Sequence, residues 1–209
     1  MSNPDSAFGF KALRMGTGGE AIRNAYAPRG YTILSTYGTA LYRGMPVALG
    51  GTGLLGRPDI ITCDVNTYTI GIFDGVEYTD SNGVRQYRKS WVASTVGTDI
   101  IAYVYDHEDT IFAIQNDGDG VSGGSNGTVA VTAFGNKADW TPTTSSAGSH
   151  VTGLSSIELD TSNIGTGDAL QILGLAGDTT LGDWAIFEVI IREHAKRGNG
   201  GNSPLPTTF

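Results

Sequence analysis

The sequence is poor in the residues that build reactive or cross-linked proteins. Its 209 residues include one cysteine, Cys63, so no intramolecular disulfide framework is possible. The histidines His107, His150 and His194 lie far apart and show no metal-ligand spacing. A nucleophilic cysteine would need a histidine partner, and the apolar run DIITCDV around Cys63 points to none. We therefore expect a buried inert thiol, no cofactor, no metal and no catalytic residues.

Long hydrophobic runs and a positive net charge are also missing. No apolar stretch approaches the ~20 residues that a membrane helix needs. The start of the chain, MSNPDSAFGF, lacks the layout of a secretory signal. The net charge of −8 argues against nucleic-acid binding by phosphate neutralisation. We expect a soluble protein, made in a cytoplasm, that binds neither a membrane nor a nucleic acid.

Glycine, in contrast, is abundant, with 31 residues against seven prolines. Its spread between short apolar runs predicts many tight turns, as in an all-β protein. From Tyr31 onward, runs rich in β-branched and aromatic residues follow one another, among them YTILSTY, ALYRGMPVAL, DIITCDV and TYTIGIF. No amphipathic helix of three turns is visible. The pattern predicts an antiparallel sandwich or jelly-roll-like body over residues 31–195.

The clearest local signals predict two hairpins. In VEYTDSNGVRQYRKSW, residues 76–91, Asn82-Gly83 separates two strand-like runs, and Asn-Gly is the strongest short hairpin signal. A second hairpin is predicted over residues 100–114, where the letters DHED join two apolar runs. The first of these runs is apolar at every position, so we expect core or a neighbouring subunit to cover both of its faces.

The acidic letters DHED, residues 106–109, raise the question of an acid/base or metal site. Aspartate favours turns because its side chain bonds backbone N–H groups. A metal or di-carboxylate site needs ligands that converge from separate elements. We therefore interpret this segment as a solvated turn.

Two weaker patterns leave other chemistry open. NDGDG, residues 116–120, fails the EF-hand pattern but leaves a weak loop calcium site possible. The three tryptophans could line a sugar-binding groove, although core and interface positions are the simpler interpretation. They are Trp91, Trp140 and Trp184.

Both ends of the chain differ from the predicted body. Residues 1–30 show no clean period and are predicted to form an extended N-terminal arm, whose aromatic and basic residues in FGFKALRM should dock on something. Residues 1–45 hold five of the 13 cations and two of the 21 anions. A basic leader on an acidic body is typical of an arm that meets an acidic surface. Residues 196–209 read as a flexible tail.

Several phrases together carry a family resemblance. They are NPDSAFGFKALR, YGTALYRGMPVAL, GIFDGVEYTDSNGVRQYRKSW, AYVYDHEDTIFAIQ, ALQILGL and FEVIIREH, spread over residues 3–194. In order and spacing these phrases resemble the capsid cement, or head decoration, proteins of tailed bacteriophages, in particular those of short-tailed phages and their cyanophage relatives. The family's hairpin pattern before a tryptophan matches Gly75, Tyr78, Thr79, Asp80, Gly83 and Trp91.

The resemblance implies a non-enzymatic virion protein, made in the host cytoplasm and placed on the outer surface of the capsid. There it would bridge adjacent major capsid protein subunits against the pressure of packed DNA. It further implies a homo-oligomer, a dimer or trimer, at a local symmetry axis of the shell. The expected capsid contacts of the arm are Phe8, Phe10, Lys11, Arg14, Arg23 and Tyr26. Weaker candidates for self-association are Tyr78, Tyr87, Trp91, Tyr103 and Tyr105.

Three alternatives stay open beside the cement protein. The first is a carbohydrate-binding β-sandwich, a lectin-like surface module that would use Trp91 or Trp140. The second is a β-fold hydrolase with Asp106 and Glu108 as its best candidate carboxylates. The third is another virion part, such as a tail or fibre adaptor.

Overall fold

The structure is a computed structural model, and it describes residues 3–16, 28–51, 53, 56–118, 133–142, 147–177 and 179–197. These residues form fourteen strands and a short 3-10 turn at Thr161–Asn163. The strands are β1 (Lys11–Met15), β2 (Arg29–Tyr31), β3 (Leu41–Tyr42), β4 (Pro46–Leu49), β5 (Ile60–Thr62), β6 (Gly71–Thr79), β7 (Arg85–Arg88), β8 (Ser90–Trp91), β9 (Thr98–Tyr105), β10 (Thr110–Gln115), β11 (Lys137–Thr141), β12 (Glu158–Asp160), β13 (Leu170–Leu175) and β14 (Ile186–Ile191). No helix in this part of the chain is long and apolar enough to cross a membrane.

Two large antiparallel sheets and one small ribbon contain all of these strands. Sheet I has six strands in the order β1-β10-β14-β13-β11-β12. Sheet II has the order β2-β9-β6-β4-β5, and β7 also pairs with β6. The ribbon is β3 paired with β8. The predicted all-β, antiparallel, sandwich-like body is confirmed.

Strand β14 illustrates how the sequence pattern produces the sandwich. Because successive side chains of a strand point to opposite faces, alternate residues of β14 share one face. The residues on one face are almost completely buried in the core, and those between them are half-buried. The buried ones are Phe187, Val189 and Ile191. The alternation in the sequence thus produces a strand that is buried on one face and nearly so on the other.

The core consists of two clusters separated by sheet II. The first cluster lies between the sheets and includes Phe187 from sheet I and Ile72 from sheet II. The second lies on the opposite face of sheet II and includes Phe73 together with Trp91 of the ribbon. The neighbouring residues Ile72 and Phe73 therefore point into different clusters. Burial of each such side chain contributes about 1.5–3 kcal/mol, so sheet II is fixed from both sides.

The predicted Asn82-Gly83 hairpin is confirmed as the β6–β7 pair. The Asp80 carboxylate closes the turn, because its Oδ1 accepts from the backbone N–H of Asn82 at 2.9 Å and of Val84 at 3.0 Å. Gly83 has a φ of +77°, which glycine adopts without the steric cost that other residues meet.

The predicted arm, residues 1–30, is not separate from the body along its whole length. Strand β1 is an edge strand of sheet I and pairs with β10. Phe10, just before it, is only 4% exposed and belongs to the first core cluster. Its ring meets Phe112 and Trp140 edge-on, at centroid distances of 6.1 and 6.0 Å. The aromatic residue expected to dock on a partner docks on its own core.

Two glycines allow the chain to reach that position. Gly9 and Gly44, with φ of +71° and +90°, cross so closely that a Cβ on Gly9 would lie 2.6 Å from the Gly44 carbonyl oxygen. Phe10 N–H donates to that oxygen at 2.9 Å. Residues 9–15 therefore belong to the body, which corrects the predicted arm boundary. Residues 17–27 lie outside the described part of the chain.

The body also extends further toward the C-terminus than predicted. Ala195 N–H donates to the Thr69 carbonyl at 2.9 Å, and the Arg197 guanidinium donates to the Glu108 carbonyl at 2.7 Å. Lys196 and Arg197, assigned to the tail from the sequence, are thus bound to the body. Residues 198–209 lie outside the described part.

Candidate functional site

The acidic segment between β9 and β10 is a hairpin turn, as predicted, but its first carboxylate is not solvated. Asp106 is 0% exposed. The Tyr31 hydroxyl donates to Asp106 Oδ2 at 2.7 Å, the Lys196 ammonium forms an ion pair with the same carboxylate, and Arg29 Nε lies 3.8 Å from Oδ1. We call these four residues the Asp106 cluster. The prediction of a solvated Asp106 is wrong, because the fold supplies the cations that a buried carboxylate needs.

The rest of the turn is bonded internally. His107 Nδ1 accepts from the Asp109 backbone N–H at 3.1 Å, and Arg197 reaches the Asp109 carboxylate at 3.4 Å. Among the described residues, no group of three or more His, Cys, Asp or Glu side chains is placed to hold a metal ion. The charged groups of the Asp106 cluster join β2, the end of β9 and the segment after β14, so they stabilise the fold. The absence of enzymatic activity stays a prediction.

The buried histidine and cysteine are also structural. His194 is 3% exposed, and burial, with the charges of Lys196 and Arg197, lowers its pKa to about 4. Its Nδ1 accepts from the Lys196 backbone N–H at 3.2 Å. Burial raises the pKa of the Cys63 thiol to about 12, so this sulfur is a poor nucleophile at neutral pH.

Trp91 and Trp140 do not supply a sugar-stacking platform, whereas Trp184 is half-buried. Trp91 is 0% exposed and Trp140 is 1% exposed. The Trp91 indole N–H donates to the Tyr37 carbonyl at 3.4 Å, and its ring meets Tyr78 edge-on at 5.6 Å. Because neither ring is open to a ligand, the lectin-like alternative loses the residues on which it depended.

The segment NDGDG is only partly within the described residues. The Asn116 amide donates to the Gly182 carbonyl at 3.2 Å. The Asp117 carboxylate accepts from the Thr161 hydroxyl at 2.6 Å. Residues 119–120 lie outside the described part, so the calcium alternative is unchanged.

The six candidate capsid contacts of the arm do not form one exposed set. Phe10 is core, so its prediction as a surface anchor is wrong. Arg14 of β1 forms a two-pronged ion pair with Glu188 of β14, across the intervening strand β10, so its charge is already matched. Lys11 is exposed and Phe8 is half-buried. The remaining two, Arg23 and Tyr26, lie outside the described part of the chain.

A groove of about 550 Å³ runs beside this N-terminal segment. Its lining is mainly apolar, comes from β1, β6, β9, β10 and β14 among other segments, and includes Lys11 and the ion pair of Arg43 with Asp74. Arg43 Nε donates to Asp74 Oδ1 at 2.7 Å. Phe8 also lines this groove and is half-buried.

The second set of candidates, those for self-association, includes a pair that the structure brings together. Tyr87 of β7 stands opposite Glu77 of β6, and Ile101 of β9 stands opposite Glu77 on the other side. Residues opposite each other on antiparallel strands share a face. Tyr87, Glu77, Ile101, Tyr103 and Arg85 therefore lie on one face of sheet II, which we call the tyrosine face.

Charge and exposure define the tyrosine face further. Arg85 Nη2 donates to Glu77 Oε1 at 2.7 Å, and this bond raises the pKa of the Arg85 guanidinium. Partial burial, then a hydrogen bond with Glu77, raises the pKa of Tyr103. The Tyr87 side chain is 73% exposed. The tyrosine face is on the same side of sheet II as Ile72, which packs against sheet I. The tyrosine face itself is partly exposed to solvent.

This half-open face bears on the expectation that core or a neighbouring subunit covers both faces of the apolar run in β9. Alternate residues of its apolar run, Ile100, Ala102 and Val104, are buried in the second core cluster. The residues between them are only half-buried. A single chain thus covers one face of the run completely and leaves the other partly open.

The other self-association candidates are placed differently. Trp91 is buried, so its prediction as a contact residue is wrong. Tyr78 packs on Trp91, on the face of sheet II opposite the tyrosine face. Tyr105 is half-buried beside Asp74 and Arg43, and burial raises its pKa. Tyr87 and Tyr103 are the two candidates that share an accessible surface.

The Glu77–Arg85 pair depends on the register of the hairpin, which Asn82-Gly83 alone does not give. A two-residue Asn82-Gly83 loop would set Arg85 opposite Asp80, whereas Asp80 bonds to Val84 and Arg85 stands opposite Thr79, so the loop has three residues. No sequence pattern indicates the Asp106 cluster either, because Lys196 lies 90 positions from Asp106.

No protein-family model, curated protein or solved structure matches this chain.

Proposed function

We propose that the chain is a non-enzymatic virion protein that decorates the outer capsid surface and cements adjacent major capsid protein subunits against the pressure of packaged DNA. The observation that carries the proposal is the tyrosine face, where the exposed Tyr87 and the half-buried Tyr103 lie beside the matched ion pair of Glu77 and Arg85 on a half-open stretch of sheet. Tyrosine and arginine are enriched among the residues that dominate protein–protein binding. The family resemblance of the sequence phrases points the same way.

The two-cluster core suits a mechanical role. A sheet fixed on both faces by packed side chains deforms little under load, since protein interiors have low compressibility. A cement protein resists expansion of the shell by raising the free energy needed to separate the subunits that it joins. A dimer or trimer that binds several subunits at once gains from effective concentration, so each contact can be weak.

The capsid contact is proposed for the N-terminal segment with a reduced set of residues. Lys11 is exposed and has no ion-pair partner among the described residues. Phe8 borders the groove beside it. Arg23 and Tyr26 complete the set, whereas Phe10 and Arg14 are occupied within the chain. Self-association is proposed for the tyrosine face.

The decisive experiment is co-sedimentation with expanded, undecorated capsids, titrated to saturation. Because β1 belongs to the body, the contact is tested by Arg23→Ala/Tyr26→Ala and not by deletion. We expect the double variant to lose affinity about tenfold or more, as anchor residues do. The control is Arg192→Ala, which removes an exposed cation elsewhere. Failure of the unaltered protein to sediment with the capsids would overturn the proposal, and equal loss in the control would refute the assigned contact.

Self-association is tested separately by sedimentation equilibrium. Replacing Tyr87 with serine removes an exposed ring from the tyrosine face and should shift a dimer or trimer toward monomer, because loss of one such anchor typically costs more than about 1 kcal/mol. Val151→Ser is the matched control, since Val151 is 96% exposed and lies outside that face. A protein that is monomeric before any substitution contradicts this part of the proposal.

A further inference from the structure

Within the described residues, the outer side of β7 is an unpaired edge of sheet II, because β7 pairs with β6 on one side and with no strand on the other. An open strand edge presents backbone N–H and C=O groups that can accept a further strand. The question is which kind of chain fits this one.

The hydrogen-bond pattern identifies the backbone groups that point outward. The Asp80 N–H donates to the Val84 carbonyl at 2.9 Å, which makes these two a bonded pair across the hairpin. In an antiparallel pair, bonded and non-bonded positions alternate along the strands. Gln86 and Arg88 therefore bond to β6, whereas the backbone groups of Arg85 and Tyr87 are directed away from it. These two residues offer an incoming strand its hydrogen bonds.

The charge of this edge is positive although the protein is acidic. Arg88 and Lys89 are both exposed. Arg88 donates to Gln86 Oε1 at 3.2 Å, and neither cation has a carboxylate partner in the part of the chain that the structure describes. The charge of Arg85 is matched by Glu77. The edge thus carries two uncompensated cations on a chain of net charge −8.

The positive charge at the β7 edge favours an acidic strand as its binding partner. Two β7 edges brought together would oppose cation to cation, a repulsion that proteins use to prevent edge-to-edge pairing. An acidic strand meets no such penalty, and two cations are too few for binding to a polyphosphate chain by charge alone. Tyr87 and Val84, which are 73% and 53% exposed, add apolar contacts for alternate side chains of the incoming strand.

We propose that the outer edge of β7 binds an extended acidic segment of a partner protein by adding it to sheet II as a further strand. Main-chain hydrogen bonds to Arg85 and Tyr87 supply the alignment, and Arg88 and Lys89 select for carboxylates. This mode of recognition is general for exposed sheet edges. The inference does not depend on the proposed function: an acidic strand can bind here whether or not the protein binds capsids.

The test uses fluorescence anisotropy with a labelled peptide of alternating glutamate and valine, about six residues long as is usual for strands. A peptide of alternating lysine and valine is the control. We expect the acidic peptide to bind more tightly than the basic control peptide. Its affinity should fall as the salt concentration increases. Arg88→Glu/Lys89→Glu should lower its affinity about tenfold or more, because like charges then face each other.

Strand addition is separated from simple charge attraction by the backbone. Tyr87→Pro removes the outward N–H and should abolish binding, whereas Tyr87→Ala should retain part of it, since proline cannot donate a ladder hydrogen bond. An acidic peptide N-methylated on one edge tests the reciprocal bonds, from the peptide N–H groups to the Arg85 and Tyr87 carbonyls, without altering the protein. Equal binding of acidic and basic peptides, no effect of the charge reversal, or full binding of the N-methylated peptide would each overturn the proposal. Capsid co-sedimentation of the same variants is measured separately, so that a failure of peptide binding can be told from a failure of capsid binding.

Discussion

Two groups of residues with the same chemistry lie in very different surroundings. The Asp106 cluster joins a carboxylate to a tyrosine hydroxyl and to two cations. On the tyrosine face, the Glu77 carboxylate is likewise joined to a tyrosine hydroxyl and to Arg85. Side-chain exposure is 0% for Asp106 and 12% for Glu77, whereas the cations Lys196 and Arg85 are exposed to a similar degree, 34% and 32%. The carboxylate is thus fully buried in one place and partly solvated in the other.

The difference in burial assigns different roles to the two groups. A buried charge that loses its partner stays buried and unmatched, so the partners of Asp106 are obligatory. The partners of Glu77 exchange with water at little cost. The first arrangement therefore fixes three distant chain segments to one another, and the second leaves a surface whose bonds a binding partner can replace.

The largest expected effect is the loss of the buried carboxylate. Asp106→Ala leaves Tyr31, Lys196 and Arg29 without their shared partner and should lower the free energy of unfolding by about 3 kcal/mol. We take the lower end of the usual range because 34% of the Lys196 side chain is exposed and can be hydrated. Urea denaturation followed by circular dichroism measures the change.

The matched substitution on the surface is Glu77→Ala. Because that pair is partly solvated, its loss should cost less than about 1 kcal/mol. Equal destabilisation by the two substitutions would show that burial does not distinguish the groups.

A smaller loss of stability is expected when the pH falls. It comes from the buried His194, which lies two residues before Lys196 of the Asp106 cluster. The folded state holds His194 neutral with a pKa of about 4, against 6.5 for a free side chain. Below pH 6.5 the unfolded chain therefore binds more protons than the folded protein. Stability falls as the pH drops from 6.5 toward 4, by about 2–3 kcal/mol for a pKa difference of this size.

His194→Asn isolates this contribution, since the Asn oxygen can accept the Lys196 N–H and does not titrate in this range. The charged and titratable groups that affect His194 are Lys196, Arg197 and His107. We expect the difference in unfolding free energy between the two proteins to narrow or reverse as the pH falls from 7 to 4. A difference that stays constant over this range would show that His194 is not held neutral.

Local features of the fold could be predicted from the sequence because their causes are local. The alternation of Phe187, Val189 and Ile191 identifies a half-buried strand without knowledge of its neighbours. The hairpin turn at Asn82-Gly83 requires one residue that readily adopts a left-handed backbone, and Gly83, with φ of +77°, supplies it. The register of the hairpin is less easily predicted, because a change of one residue in loop length would move Arg85 to the face opposite Glu77.

The misplaced features depend on contacts between distant residues. Nothing near Asp106 in the sequence indicates that Lys196 and Tyr31 converge on it, so a solvated turn was the reasonable expectation. Phe10 resembled an exposed anchor because its cover, Phe112 and Trp140, is supplied by strands more than 100 residues later. The sequence predicts which segments form strands, but tertiary packing decides which of their polar and aromatic residues are buried.

The smallest expected effect separates the two tyrosine hydroxyls. Tyr31→Phe removes a hydrogen bond to a buried carboxylate and should cost about 1.5–2 kcal/mol, as bonds to charged groups do. Tyr103→Phe should change the unfolding free energy by less than about 0.5 kcal/mol, because the partly solvated Glu77 keeps its bond to Arg85 and can bind water in place of the hydroxyl. Double-mutant cycles sharpen the contrast. Asp106→Ala with Tyr31→Phe should be coupled by about 1 kcal/mol or more, whereas Glu77→Ala with Tyr103→Phe should be additive within about 0.5 kcal/mol. Strong coupling on the surface would mean that the tyrosine face is as rigidly fixed as the interior and is not available for exchange with a partner.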